Sequence, residues 1–160
     1  MSAYKKSLGG DTKKAYSKVF FSDFNLVWQS TLEALKSFPL DISNRESGYI
    51  QTRFIDNTSQ KNFIDTFGVG QLYLKSRFRF RVSVAKSIYK KKRVIKVNII
   101  KEQLIKEDVL EGWREVETDG LEENTLLYRV ERLVKIQSKI NDLEKVRIQK
   151  QLKKTQESVR

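Results

Sequence analysis

Residues 75–84 read Lys-Ser-Arg-Phe-Arg-Phe-Arg-Val-Ser-Val, with Phe78, Phe80, Val82 and Val84 at even positions and Lys75, Arg77, Arg79, Arg81 and Ser83 at odd ones. A period of two is that of a pleated strand, whose successive side chains leave on opposite faces. One face of this strand must be covered and the other left open. Residues 93–100, Arg-Val-Ile-Lys-Val-Asn-Ile-Ile, return as a second strand. An antiparallel hairpin with one buried face is the constraint that the rest of the chain has to satisfy. The lysine-rich residues 85–92 are expected to connect the two strands. Arg77, Arg79 and Arg81 are expected together on the open face, about 7 Å apart along the strand.

The remaining segments supply what covers the buried face. Residues 15–21 suit a short strand, after which Ser22 or Asp23 can cap a helix. That helix places Phe24, Val27, Trp28, Thr31, Leu32 and Leu35 on one side at three- and four-residue spacing, and Pro39 is expected to end it. Trp28 is expected in the core, against the buried side of the hairpin. Residues 40–44 and 49–55 form a second hairpin around the turn Asn44-Arg45-Glu46-Ser47-Gly48. Residues 56–72 read as a long loop and 113–117 as a short edge strand. From Leu121 to Thr155 neither Gly nor Pro interrupts a helical pattern. Its apolar stripe, Leu126, Val130, Leu133, Val134, Ile136, Ile140 and Leu143, is expected to pack on the sheet. The order of elements predicts an α+β fold: an antiparallel sheet with its helices gathered on one face and a long C-terminal helix. Residues 1–15 are read as a flexible leader, 16–143 as one α+β domain, and 144–160 as a projecting or frayed helix end.

Composition narrows the function. The 160 residues include no cysteine and no histidine. Thiolate nucleophiles, disulfides and the commonest general base and metal ligand are therefore missing. No Walker loop, dinucleotide fingerprint, nucleophile elbow or EF-hand loop is present. The expectation is a non-enzymatic module with no catalytic residues, no cofactor and no metal.

Charge points to a partner. Residues 75–101 hold eleven of the 32 basic residues and no acidic one, leaving the other 21 to balance 20 acidic residues. Nearly all of the net charge of +12 thus lies in one hairpin. The candidate partner-binding residues are Lys75, Arg77, Arg79 and Arg81 on the first strand, Lys90, Lys91, Lys92 and Arg93 near the connection, and Lys96 on the second strand. Such a field attracts an acidic protein surface, anionic lipid or nucleic acid. Phe78 and Phe80 alternate away from the arginines, which disfavours base stacking on that face.

The packing residues also carry a resemblance. Phe24, Val27-Trp28, Ala34-Leu35 and Phe38-Pro39-Leu40, followed by Ser47-Gly48-Tyr49-Ile50-Gln51-Thr52, resemble the opening of a BamC-like (NlpB) domain. This is a lipoprotein family of the outer-membrane β-barrel assembly machinery, together with related envelope lipoproteins. Arg79-Phe80-Arg81-Val82-Ser83-Val84 and Ile95-Lys96-Val97-Asn98-Ile99 resemble the strands that follow in that family. The resemblance spans roughly residues 18 to 135. It implies a helix-grip-like fold, no catalytic residues, and a structural or interaction role in a bacterial envelope complex. It also implies a place on the periplasmic side of the outer membrane, reached by an export signal upstream. Without such a signal, the same basic hairpin would suit a cytoplasmic nucleic-acid-binding module.

Overall fold

The computed structural model describes residues 14–56, 75–106 and 110–158. The sheet is built around β5 (Lys75–Tyr89) and β6 (Lys92–Lys106), paired antiparallel along their whole length from Lys75↔Lys106 to Tyr89↔Lys92. β1 (Tyr16–Phe20) lies against β6, while β3 (Tyr49–Thr52) lies against β5 and β2 (Leu40–Asn44) against β3. Two short strands complete the seven: β4 (Ile55–Asp56) on β5 and β7 (Arg114–Val116) on β6. Helix α1 (Phe24–Ala34) and the long helix α2 (Leu121–Ser158) pack against each other and against one face of this sheet. The architecture is α+β, as the alternation predicts.

The central hairpin is longer than the sequence suggests. Residues 85–89 belong to β5, and the connection shrinks to Lys90 and Lys91, with φ of 47° and 63°. Two consecutive left-handed residues match the twist of the flanking strands, as in a type I′ turn. Lysine lacks glycine's freedom there, so each position costs about 1 kcal/mol that the ladder must offset. The strands were hidden because lysines at a solvated tip show no alternation. At the other end β6 runs on to Lys106 through Lys101, Glu102 and Gln103, all buried. Lys101 turns toward the helices, where its ammonium meets Glu122 at 2.5 Å and lies over the Phe78 ring.

The second hairpin turns at Gly48, whose φ is +66° and whose Cβ would stand 2.0 Å from the carbonyl oxygen of Val84. Only glycine admits that approach, which lets Val84 N–H donate to the Gly48 carbonyl at 2.7 Å. The return strand breaks after Thr52. Gln51 pairs with Arg81 and Ile55 with Phe78, so β3–β4 carries one residue more than β5 across the same span, a bulge. The Thr52 hydroxyl accepts the Phe80 N–H within it.

α1 begins at Asp23, whose carboxylate accepts from Leu26 N–H at 3.0 Å. It ends at Ala34, earlier than Pro39 alone would require. The chain then turns so that Phe38 lies edge-on over Phe78 and Phe80, at 6.5 and 5.2 Å between ring centres. Burial of a third aromatic ring outweighs another helical turn. Trp28 is buried in one cluster with Phe80, Val82 and Val97, and stacks on Phe24.

α2 follows Gly120, a second obligatory glycine with φ of +81°, whose Cβ would collide with the Tyr16 ring at 2.1 Å. Leu126, Leu127, Val130 and Val134 are buried, but Ile136, Ile140 and Leu143 are exposed. The packed part of the stripe therefore ends at Val134, well short of Leu143. At 1.5 Å per residue α2 is roughly 57 Å long, and the sheet is too narrow to accompany it. Lys18 of β1 tethers its middle through Glu131 at 2.5 Å. Lys18, then Lys135, hold the Glu131 carboxyl below the usual carboxylate range. The folded-state preference for the ionised form means that the tether's contribution is complete above that range and is lost only as the pH falls below it, through the lowered value of the folded state. The expected leader and the loop over 56–72 lie outside the described residues, apart from residues 14, 15 and 56.

Two measurements check this packing. Trp28→Ala is expected to lower stability by about 3–5 kcal/mol in urea unfolding, because α1 loses its main anchor. A loss under about 1 kcal/mol would show that Trp28 does not hold α1 to the sheet. Ending the chain after Lys145 removes side chains of α2 that are exposed from residue 146 to residue 156, and is expected to shift stability by no more than about 0.5 kcal/mol. A larger loss, or dissociation of an oligomer in ultracentrifugation, would make the tail part of the packed structure.

Candidate interaction surface

The nine basic residues singled out by charge do not form one surface. Lys75 stands opposite Lys106 at the far end of the hairpin. By strand length it is about 45 Å from the turn. Lys96 is half-buried on the open face, between Ala85 and Val19 in the pairing. The arginine row and the turn cluster are separate environments.

Arg77, Arg79 and Arg81 do lie on the face away from the helices, but they are already engaged. Register places Glu102 opposite Arg79. Its Oε2 accepts from Arg79 Nε at 2.9 Å and from Arg81 Nη2 at 2.7 Å. The side chains of Arg79, Arg81 and Glu102 are only 19%, 33% and 11% exposed. The guanidinium of Arg77 lies against the rings of Phe54 and Trp113, 4.5 and 4.0 Å from their centres, and that of Arg79 lies 4.4 Å from the centre of the Phe54 ring. Cation–π contacts of this kind gain strength as water is excluded. The bulge after Thr52 is what brings Phe54 to this position. Arg77 Nε and Arg81 Nε are buried without a hydrogen-bond partner among the described residues. The open row of free forks expected from alternation is instead a closed network. Alternation located the arginines, but Glu102 sits 23 residues from Arg79 and Phe54 in another hairpin.

The turn cluster has the opposite character. β1 pairs with β6 only from Ile95 onward, and β3 with β5 only up to Ser83. Beyond those points and the bond from Val84 to Gly48, no further strand lies beside the β5–β6 hairpin among the described residues. Lys86, Lys90, Lys91, Lys92 and Arg93 are all exposed on this projection. None has an ion-pair partner among the described residues. Three apolar side chains stand among them: Phe21 at 66% exposure, Ile88 at 76% and Tyr89 at 46%. Phe21 and Tyr89 meet edge to face, with ring centres 6.4 Å apart and planes at 71°. Lys90 lies over the Tyr89 ring.

A hollow of about 420 Å³ opens where the projection meets the β1–α1 corner, lined by Ser22, Asp23, Phe24, Lys86, Ser87 and Ile88 together with Arg93, Val94 and Ile95. The one carboxylate in its lining among the described residues, Asp23, is occupied as the helix cap. Phe21 and Ile88 were not legible as site residues in the sequence. Ile88 falls in what looked like a connection, and Phe21 joins the tip only because β1 runs beside β6. Among the described residues no cluster of three or more acidic side chains could hold a metal ion, and no helix is long and apolar enough to cross a membrane. Compared with known protein families and with curated proteins, the sequence matches none.

Proposed function

We propose that this protein is a non-enzymatic interaction module of a bacterial envelope assembly, and that it docks onto an anionic partner through the tip of the β5–β6 hairpin. The observation that carries the docking is the contrast between two groups of basic residues. The arginine row is committed to Glu102, Phe54 and Trp113, whereas Lys86, Lys90, Lys91, Lys92 and Arg93 are exposed on a projection. Unpaired charges on a projecting element generate the stronger field and meet a partner first. The resemblance to BamC-like domains supports the envelope setting. A second reading, a nucleic-acid-binding module, has one observation in its favour: Tyr89 and Phe21 are exposed aromatics beside lysines, a pairing used on single strands.

Heparin chromatography of the full chain separates the tip from the row. Replacing Lys90, Lys91, Lys92 and Arg93 by Glu is expected to abolish retention at moderate salt without loss of structure, because exposed charges contribute little to stability. Arg77→Glu, Arg79→Glu and Arg81→Glu together are expected to destabilise the sheet by about 2–3 kcal/mol, since Glu102 is left among carboxylates. Retention that survives the tip reversal would move the docking surface elsewhere. Fractionation of cells producing the native gene checks the setting, and recovery in the cytosol with nucleic acid would favour the second reading.

A further inference from the structure

The chemistry of the tip specifies its partner more closely than charge does. We infer that the β5–β6 tip seats in the headgroup layer of an anionic lipid bilayer, with Ile88, Tyr89 and Phe21 at the headgroup level and the surrounding cations on lipid phosphates. This deepens the proposed anionic docking and rests on it.

Side chains alternate along the projection, so Ile88 leaves on the helix side of the hairpin and Tyr89 on the open side. Apolar groups therefore flank both sides of the end of the hairpin. A flat protein partner would engage one side. A fluid interface entered end-on meets both. The projection also extends past the ends of β1 and β3.

The apolar set fits lipid better than nucleic acid. Phe21 and Tyr89 meet edge to face, which covers one face of one of the two rings, and Lys90 lies over the Tyr89 ring. Ile88, the most exposed of the three, has nothing to stack on a base. At the level of lipid headgroups, an aliphatic side chain and amphipathic aromatics are both at home. Lys90 and Lys91 at the turn carry charge on flexible stems that can reach the phosphate layer while the stems stay among the headgroups. Each lysine or arginine near an anionic surface adds to the attraction, and the effect is screened by salt. The charge complement is nearly complete: five cations surround the apolar set, and Asp23, the carboxylate at its base, is held by the Leu26 N–H.

Sedimentation of the full chain with phosphatidylcholine vesicles, with and without about one-third phosphatidylglycerol, tests the inference. Wild type is expected to bind the anionic vesicles and to ignore the neutral ones. Ile88→Ser with Tyr89→Ser should weaken that binding by about tenfold or more, and so should Lys92→Glu with Arg93→Glu. Tyr89→Trp should give a blue-shifted emission on addition of anionic vesicles. If the serine variant binds as tightly as wild type, or if wild type ignores anionic vesicles while binding an oligonucleotide or an acidic protein, lipid docking is overturned. Retention on heparin lost on tip reversal would then leave the broader anionic reading standing. Heparin retention unaffected by that reversal would sink both.

Discussion

The structure depends on one ladder, the pairing of β5 with β6 from Lys75↔Lys106 to Tyr89↔Lys92. Its register decides which side chains meet the helices. Phe78, Phe80, Val82 and Val84 face α1 and α2 together with Val97 and Ile99. A slip of one residue would exchange this set for Arg77, Arg79, Arg81 and Asn98. Burying three guanidiniums against Trp28 and Val130 would be prohibitive, so the register is held by what the other one would bury. The two left-handed lysines at the turn are tolerated because this ladder overdetermines them.

The same register settles the electrostatics of the open face. It places Glu102 opposite Arg79 and within reach of Arg81, so two of the three guanidiniums are engaged by one carboxylate where they stand. A carboxylate shared by two guanidiniums in a poorly hydrated position is a structural device, and Phe54 and Trp113 cover the remaining cation. The exposed basic residues of the hairpin consequently lie mostly toward its tip, away from the middle of the sheet. Charge density along a sequence and charge available to a partner are different quantities, and here they lie on different parts of the same hairpin.

α2 illustrates the limit of periodicity. Its apolar positions recur as far as Leu143, yet burial ends at Val134. A stripe records which side of a helix is compatible with packing. It does not record how wide the sheet beneath is. Lys101 shows the converse: a charged residue interrupts the apolar pattern of β6, and Glu122 of α2 arrives to pair with it.

The alternation of residues 75–84 and 93–100, the cap at Asp23, the glycine turn at Gly48 and the unbroken helical run after Gly120 were enough to specify the α+β class, the order of most elements and the face that carries the arginines. Those features are local: each rests on the conformational preference or period of a few consecutive residues. The length of the hairpin, the early end of α1, the bulge that delivers Phe54, the pairing of Glu102 with Arg79 and Arg81 and the gathering of Phe21 beside Tyr89 were decided by the tertiary structure. Each requires side chains from separate strands or helices to compete for the same space or charge, and that competition has no counterpart in the linear pattern of any one segment.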